Sequence, residues 1–177
     1  IEKSDAVPLR YHPIVVGNQV LVASSRRVRA FDLATGKPLV HASGELYSVP
    51  PPPVVPSNQQ AAHAVVAGTA HYTMTAHGST VYARLGTSVT GKLMQRRVGM
   101  RENSQQLVGL DLARDGLLTF QAEPDDATWA FEGPPVCKGR RLFVAMRHSD
   151  VKPRTHVACY DVDTGERLWR TPVCAAD

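Results

Sequence analysis

Cysteine is scarce in this 177-residue chain: Cys137, Cys159 and Cys174 are an odd number, with no C-x-x-C pair and no histidine at zinc-ligand spacing beside them. That argues against a disulfide-stapled mini-domain and against a cysteine-based metal site. The reading left is three small hydrophobes on strands, with no disulfide among them. Long hydrophobic runs are missing too, since a bilayer-crossing helix needs about 18 apolar residues and nothing here approaches that. The first residues, "IEKSDAVPLR", lack both the basic start and the apolar stretch of a signal peptide and do not open with Met. The chain therefore reads as a processed product or an excised piece.

Catalytic patterns are equally thin. No glycine-rich phosphate cradle occurs, and the turn hydroxyls of Ser24, Ser25, Ser79 and Thr80 have no His-Asp partners in sequence reach. His71 and His77 would share a strand face but sit too far apart to hold one metal ion. Asp125-Asp126, following Pro124, reads as a solvated loop. The net charge of +4 is modest, and its size alone does not point to nucleic acid. No catalytic residue is assigned.

What the chain does have is a repeat. "VRAFDLATGKPLV" (Val28 to Val40), "LVGLDLARDGLLTF" (Leu107 to Phe120) and "VACYDVDTGERLW" (Val157 to Trp169) are three variants of one hairpin. Upstream of each lies a second shared element, "PIVVGNQVLVA", "TMTAHGSTVYA" and "PVCKGRRLFVA". In each, Gly17, Gly78 or Gly139 separates two stretches of alternating apolar residues, which predicts strand, tight turn, strand. Asp32, Asp111 and Asp161 stand where a strand enters a turn, and Gly36, Gly116 and Gly165 supply the backbone freedom the turn needs, so these six are structural turn residues. Each unit thus holds four strands, placed in the first copy at Pro13–Val16, Val20–Ser24, Val28–Leu33 and Pro38–Ala42. Repeated four-stranded antiparallel units of about 50 residues are β-propeller blades, which makes the chain all-β.

The hairpin A-x-D-x-x-T-G-x-x-x-W resembles the PQQ-type (quinoprotein) repeat. The alanine is Ala30 in the first copy, replaced by Gly109 and Cys159, and the tryptophan is present only as Trp169, with Val40 and Phe120 at the matching positions. The resemblance implies that Trp169 docks against a neighbouring blade. It also implies an extracytoplasmic setting, periplasmic or cell envelope. Three blades fall short of the four to eight or so that close a ring. A partner is therefore expected, either the remainder of the same propeller or a completing chain.

The repeats divide the chain into blade 1 (1–44), a proline-rich connection (45–62), blade 2 (63–123) and blade 3 (124–177). Two long insertions separate the second and third strands of later blades, "RLGTSVTGKLMQRRVGMRENSQQ" and "RHSDVKPRT", with net charges of +4 and +2. In a radial four-stranded meander these insertions and the proline-rich connection leave from one face, as a binding site on a scaffold would. The candidate ligand-binding residues are Arg84, Lys92, Arg96, Arg97, Arg101, Arg147, Lys152 and Arg154, suited to an anionic glycan, protein surface or lipid headgroup. The competing expectation from the resemblance is part of a dehydrogenase using PQQ and calcium. Against it, the sequence has no adjacent cysteine pair, and neither Trp129 nor Trp169 stands in a context that suggests a quinone floor.

Overall fold

A computed structural model describes residues 12–24, 26–40, 42–50, 73–86, 105–126, 128–148, 152 and 154–175. Among these residues, twelve strands form three four-stranded sheets, each antiparallel and each in chain order. The first sheet holds β1 (Ile14–Val16), β2 (Gln19–Ala23), β3 (Arg27–Asp32) and β4 (Glu45–Ser48). The second holds β5 (Met74–His77), β6 (Thr80–Leu85), β7 (Gln106–Asp111) and β8 (Leu117–Ala122). The third holds β9 (Trp129–Lys138), β10 (Arg141–His148), β11 (Arg154–Asp161) and β12 (Arg167–Ala175). These are the three blades expected from the repeat. A 3-10 turn, Leu112–Arg114, joins the third and fourth strands of the second sheet.

The turns explain the meander. Gly17, Gly78 and Gly139 take φ of 57°, 60° and 59° in the two-residue links between the first and second strands, a hairpin conformation that glycine enters without strain. At the next turn, the Asp32 carboxylate accepts from the backbone of Thr35 (2.8 Å), from the Thr35 hydroxyl (2.7 Å) and from Asn18 (2.8 Å). Asp161 repeats this with the backbone of Asp163 (2.9 Å) and Thr164 (3.1 Å). Asp111 instead caps the 3-10 turn through Ala113 (3.0 Å) and pairs with Arg114 (2.7 Å). The backbone N–H groups of Gly36, Gly116 and Gly165 donate to the carbonyls of Asp32, Asp111 and Asp161, each at 2.9 Å. The carboxylate bonds favour the ionised form and hold all three aspartates below their ordinary pKa, through the Thr35 hydroxyl, the Arg114 side chain and the Asp163 N–H respectively.

The first blade departs from expectation at its fourth strand. Pro38 makes only an isolated bridge to Phe31, because it has no N–H to extend a ladder. Val40 and Gly44 then turn left-handed, at φ 67° and 69°, and the chain re-enters the sheet as Glu45–Ser48. The strand expected at Pro38–Ala42 is therefore replaced by one inside the segment assigned to the connection.

The sheets stack face to face. Leu21, Ala23, Val28 and Ala30 of the first meet Met74, Val81, Ala83, Leu85, Val108 and Leu110 of the second. On its other face the second sheet presents Tyr82, Leu107, Phe120 and Ala122 to Phe131, Leu142, Val144, Met146, Ala158 and Tyr160 of the third. Strand alternation in β6 and β7 thus buries two apolar sets against two neighbours.

Candidate functional site

Because each sheet is a meander, the β2–β3, β6–β7 and β10–β11 connections leave from the end opposite the glycine turns, together with the links between sheets. Five residues of the third sheet and its lead-in converge at this end. The Arg170 guanidinium carbon lies 3.4 Å from the centre of the Trp129 ring, a cation–π contact. His148 and His156 flank the same indole, with ring centroids 4.4 and 4.9 Å away. Asp125 ion-pairs with Arg170 at 2.7 Å and with Arg167. Burial pushes the Asp125 carboxyl up, but the two arginines outweigh it and the net shift is downward. Asp126 accepts from the Thr128 backbone at 2.6 Å. The "DD" pair is thus a clamp holding the start of β9 to β12, where the sequence suggests a solvated loop.

The residues proposed from sequence are spread differently. Arg84 is not in a loop: it continues β6, is 3 % exposed, and donates to the Phe131 carbonyl at 3.4 Å. The carboxamide oxygen of Gln105, itself 1 % exposed, accepts from the Phe131 N–H at 2.7 Å. Arg147 belongs to β10 and pairs with Glu132 at 3.3 Å. Both strands run further than expected because their alternation continues through the arginine, so neither guanidinium is a loop charge. Lys152 and Arg154 are exposed, and Arg154 stands opposite His148 in the ladder. Lys92, Arg96, Arg97, Arg101 and His71 lie outside the described residues. Trp169 is 40 % exposed, and its ring lies 6.0 Å from that of Phe143 in its own sheet, on the face turned away from the second blade. Cys159 sits opposite Phe143 and Trp169, while Cys137 faces Leu142 and Cys174 faces Thr155. This register separates the three thiols along the sheet.

Sequence reasoning misses the Trp129 cluster, since its members come from four separate segments and only the β9–β10–β11–β12 register unites them. His156 gives it a measurable signature. Burial foremost, helped by the neighbouring charges of Arg170, His148 and Arg154 and opposed by a hydrogen bond with the Arg154 backbone, lowers its pKa below the ordinary 6.5. The unfolded chain therefore takes up this proton more readily, and stability falls as pH drops below 6.5. His156→Gln is expected to flatten the decline in melting temperature from about pH 7 to about pH 5.5, a window set by histidine titration. An unchanged slope would contradict the assignment.

No family model and no curated protein matches this chain. Among solved structures, it is similar to a europium-containing methanol dehydrogenase, with TM-score 0.52 and 20 % identity over 90 % of this chain. It is also similar to the quinohemoprotein alcohol dehydrogenase ADHIIG of Pseudomonas putida HK5, with TM-score 0.56 and 16 % identity over 97 % of this chain. The chain spans 24 % and 22 % of the length of those two proteins. Its fold is that of a three-blade β-propeller segment, similar to part of each of these two dehydrogenases.

Proposed function

We propose that this chain is a non-catalytic binding scaffold whose long-connection face takes an anionic ligand or partner, in an extracytoplasmic setting. The observation supporting this reading is the asymmetry of the two ends. One end carries the Asp- and Gly-stabilised turns, and the other carries the two longest connections, those between β4 and β5 and between β6 and β7, together with Lys152 and Arg154, both exposed. A rigid scaffold with variable loops on one side is how binding sites are commonly built. The basic residues at positions 92, 96, 97 and 101 belong to the β6–β7 connection by sequence. Adjacent guanidinium groups such as Arg96 and Arg97 can make bidentate bonds to carboxylate or sulfate.

The test compares the parent chain with two variants, Arg96/Arg97/Arg101→Ala and Lys152/Arg154→Ala, on arrays of acidic and sulfated glycans and on vesicles containing anionic lipid. The parent should bind one of these anions, and binding should weaken with salt, since exposed charges are screened over about 8 Å at physiological ionic strength. Each variant should bind at least about tenfold more weakly, which is about 1.4 kcal/mol. Absence of binding by the parent, or equal binding by both variants, refutes the reading.

The dehydrogenase neighbours motivate a second reading, part of an enzyme using PQQ and a metal ion. The described residues do not fit that group. No three His, Cys, Asp or Glu side chains among them are placed to hold a metal ion. Trp129 is stacked by the chain's own Arg170 and His148, and Trp169 is on the outermost strand of its sheet.

A further inference from the structure

At the end that carries the repeat turns, the first and second blades meet through apolar side chains: Val16, Leu39 and Leu112 pack against the core that holds Leu21. Counting from the repeat glycines and aspartates, the junction of the second and third blades has His77 in place of Val16, Tyr82 in place of Leu21 and Val162 in place of Leu112. Thr119 takes the place of Leu39. The Leu39 N–H donates to the Ala30 carbonyl at 3.0 Å, and the Thr119 hydroxyl donates to the equivalent carbonyl of Gly109 at 3.2 Å. Val162 still packs inward, but His77 and Thr119 are exposed. Both border a cleft of about 460 Å³ between the second and third sheets, within the range of about 300–1,000 Å³ usual for small-molecule sites.

The lining of this cleft is polar on both sides. The second blade contributes Asp111 paired with Arg114 at 2.7 Å, and the third contributes Asp163 paired with Arg140 at 2.6 Å. Thr80, Thr119 and Tyr82 add hydroxyls. At the first junction the places of Arg114, Arg140 and Asp163 are held by Thr35, Ser79 and Ala113. That junction packs with none of these charged groups, so the blade fold does not require them at the second. Both walls belong to consecutive blades that pack directly on each other.

We propose that this cleft binds a neutral polyhydroxylated ligand, a short saccharide without charged substituents. Its two guanidinium groups are matched by two carboxylates, so an ion of either sign gains little from the cleft as a whole. Each pair instead sets a donor beside an acceptor. Arg114 reaches Asp111 through Nε and Arg140 reaches Asp163 through a terminal nitrogen, which leaves further N–H donors on each guanidinium. A hydroxyl donates and accepts at once, and two on adjacent ring carbons can bridge an arginine and its aspartate. The cleft lies at the end of the blades opposite Lys152 and Arg154 and favours an uncharged ligand, so it stands independently of the anion-binding reading.

The experiment titrates the isotope-labelled 177-residue chain with neutral di- and trisaccharides of glucose, galactose, mannose and N-acetylglucosamine, read by amide NMR. At least one should shift the amides of Ser79, Arg114, Arg140 and Asp163 saturably, with a dissociation constant of about 1 mM or tighter. Added salt should change that constant less than about twofold, because no net charge is screened. His77→Val with Thr119→Leu copies the first junction and should weaken binding at least tenfold, with circular dichroism matching the parent. Arg114→Ala with Arg140→Ala, both at exposed positions, should weaken it likewise and provides the same test should the first variant not fold. Lys152/Arg154→Ala should bind the saccharide as the parent does. The proposal is overturned if no saccharide shifts these amides, or if a folded variant of either pair binds as tightly as the parent. Saturation of the same amides by inorganic sulfate and not by any saccharide also overturns it, making the cleft an anion site.

Discussion

Phe131→Ala should destabilise this chain by about 3–5 kcal/mol, on the usual scale for aromatic core residues. Phe131 is wholly buried and, among the described residues, is the largest of the fully buried side chains. It packs with Leu107, Phe120, Met146 and Tyr160 at the junction of the second and third sheets, its ring 6.2 Å from that of Tyr160 and steeply inclined to it. The neighbours come from four strands of two sheets and cannot collapse together into the space, which puts the cost toward the upper part of the range. For a chain of this size each kcal/mol moves the melting temperature by about 2–4 °C, so a fall of at least about 6 °C is expected. Val15→Ala, at an exposed position, should change stability by no more than about 0.5 kcal/mol and serves as the control. A Phe131→Ala melt that overlays the parent would mean the two sheets are not packed through this residue.

The second large effect is expected from adding one carbon. A Cβ on Gly109 would stand 2.9 Å from the Phe120 Cβ and 2.9 Å from the Tyr82 ring. Overpacking of this kind costs about 1–3 kcal/mol. The other blades accept a larger residue here, Ala30 opposite Leu21 and Cys159 opposite Phe143, so the constraint in this blade comes from Tyr82 on one side and the Phe120 Cβ on the other. Gly109→Ala should therefore destabilise the parent and be relieved in part by Tyr82→Leu, which copies the first blade's pair and leaves the Phe120 Cβ contact in place. Denaturant melts of the four proteins in a double-mutant cycle give the coupling, expected between about 0.5 and 3 kcal/mol for residues in contact. Additive effects would show that Tyr82 and Gly109 do not constrain each other.

Features encoded within a few residues are legible in the sequence. The turns at Gly17, Gly78 and Gly139, and those after Asp32, Asp111 and Asp161, are local chemistry, and they alone set the strand count and the meander. Pro38 defeats the same reading because its neighbours have the pattern of a strand, while the ladder needs an N–H that proline lacks. The charge of Arg84 suggests a loop, although it follows Tyr82 at strand spacing and so falls on the same buried face. The Trp129 cluster is beyond the reach of local patterns. Its residues, at positions 129, 148, 156 and 170, meet only through register across four strands, and Asp125 joins them from a link that carries no regular pattern.

The two seams of the stack differ in a way that bears on how such repeats can be recombined. The first is lined by aliphatic side chains on both sides, and an aliphatic surface can be traded for another of similar volume. The second ends in Arg84 and Gln105, which occupy the backbone carbonyl and N–H of Phe131 on the inner edge of β9. An exposed strand edge invites pairing with foreign chains, and here two side chains stand where a further strand would. The third blade is thus not an interchangeable module. Transplanted behind a blade lacking that Arg–Gln pair, it would leave the Phe131 carbonyl and N–H without these two partners.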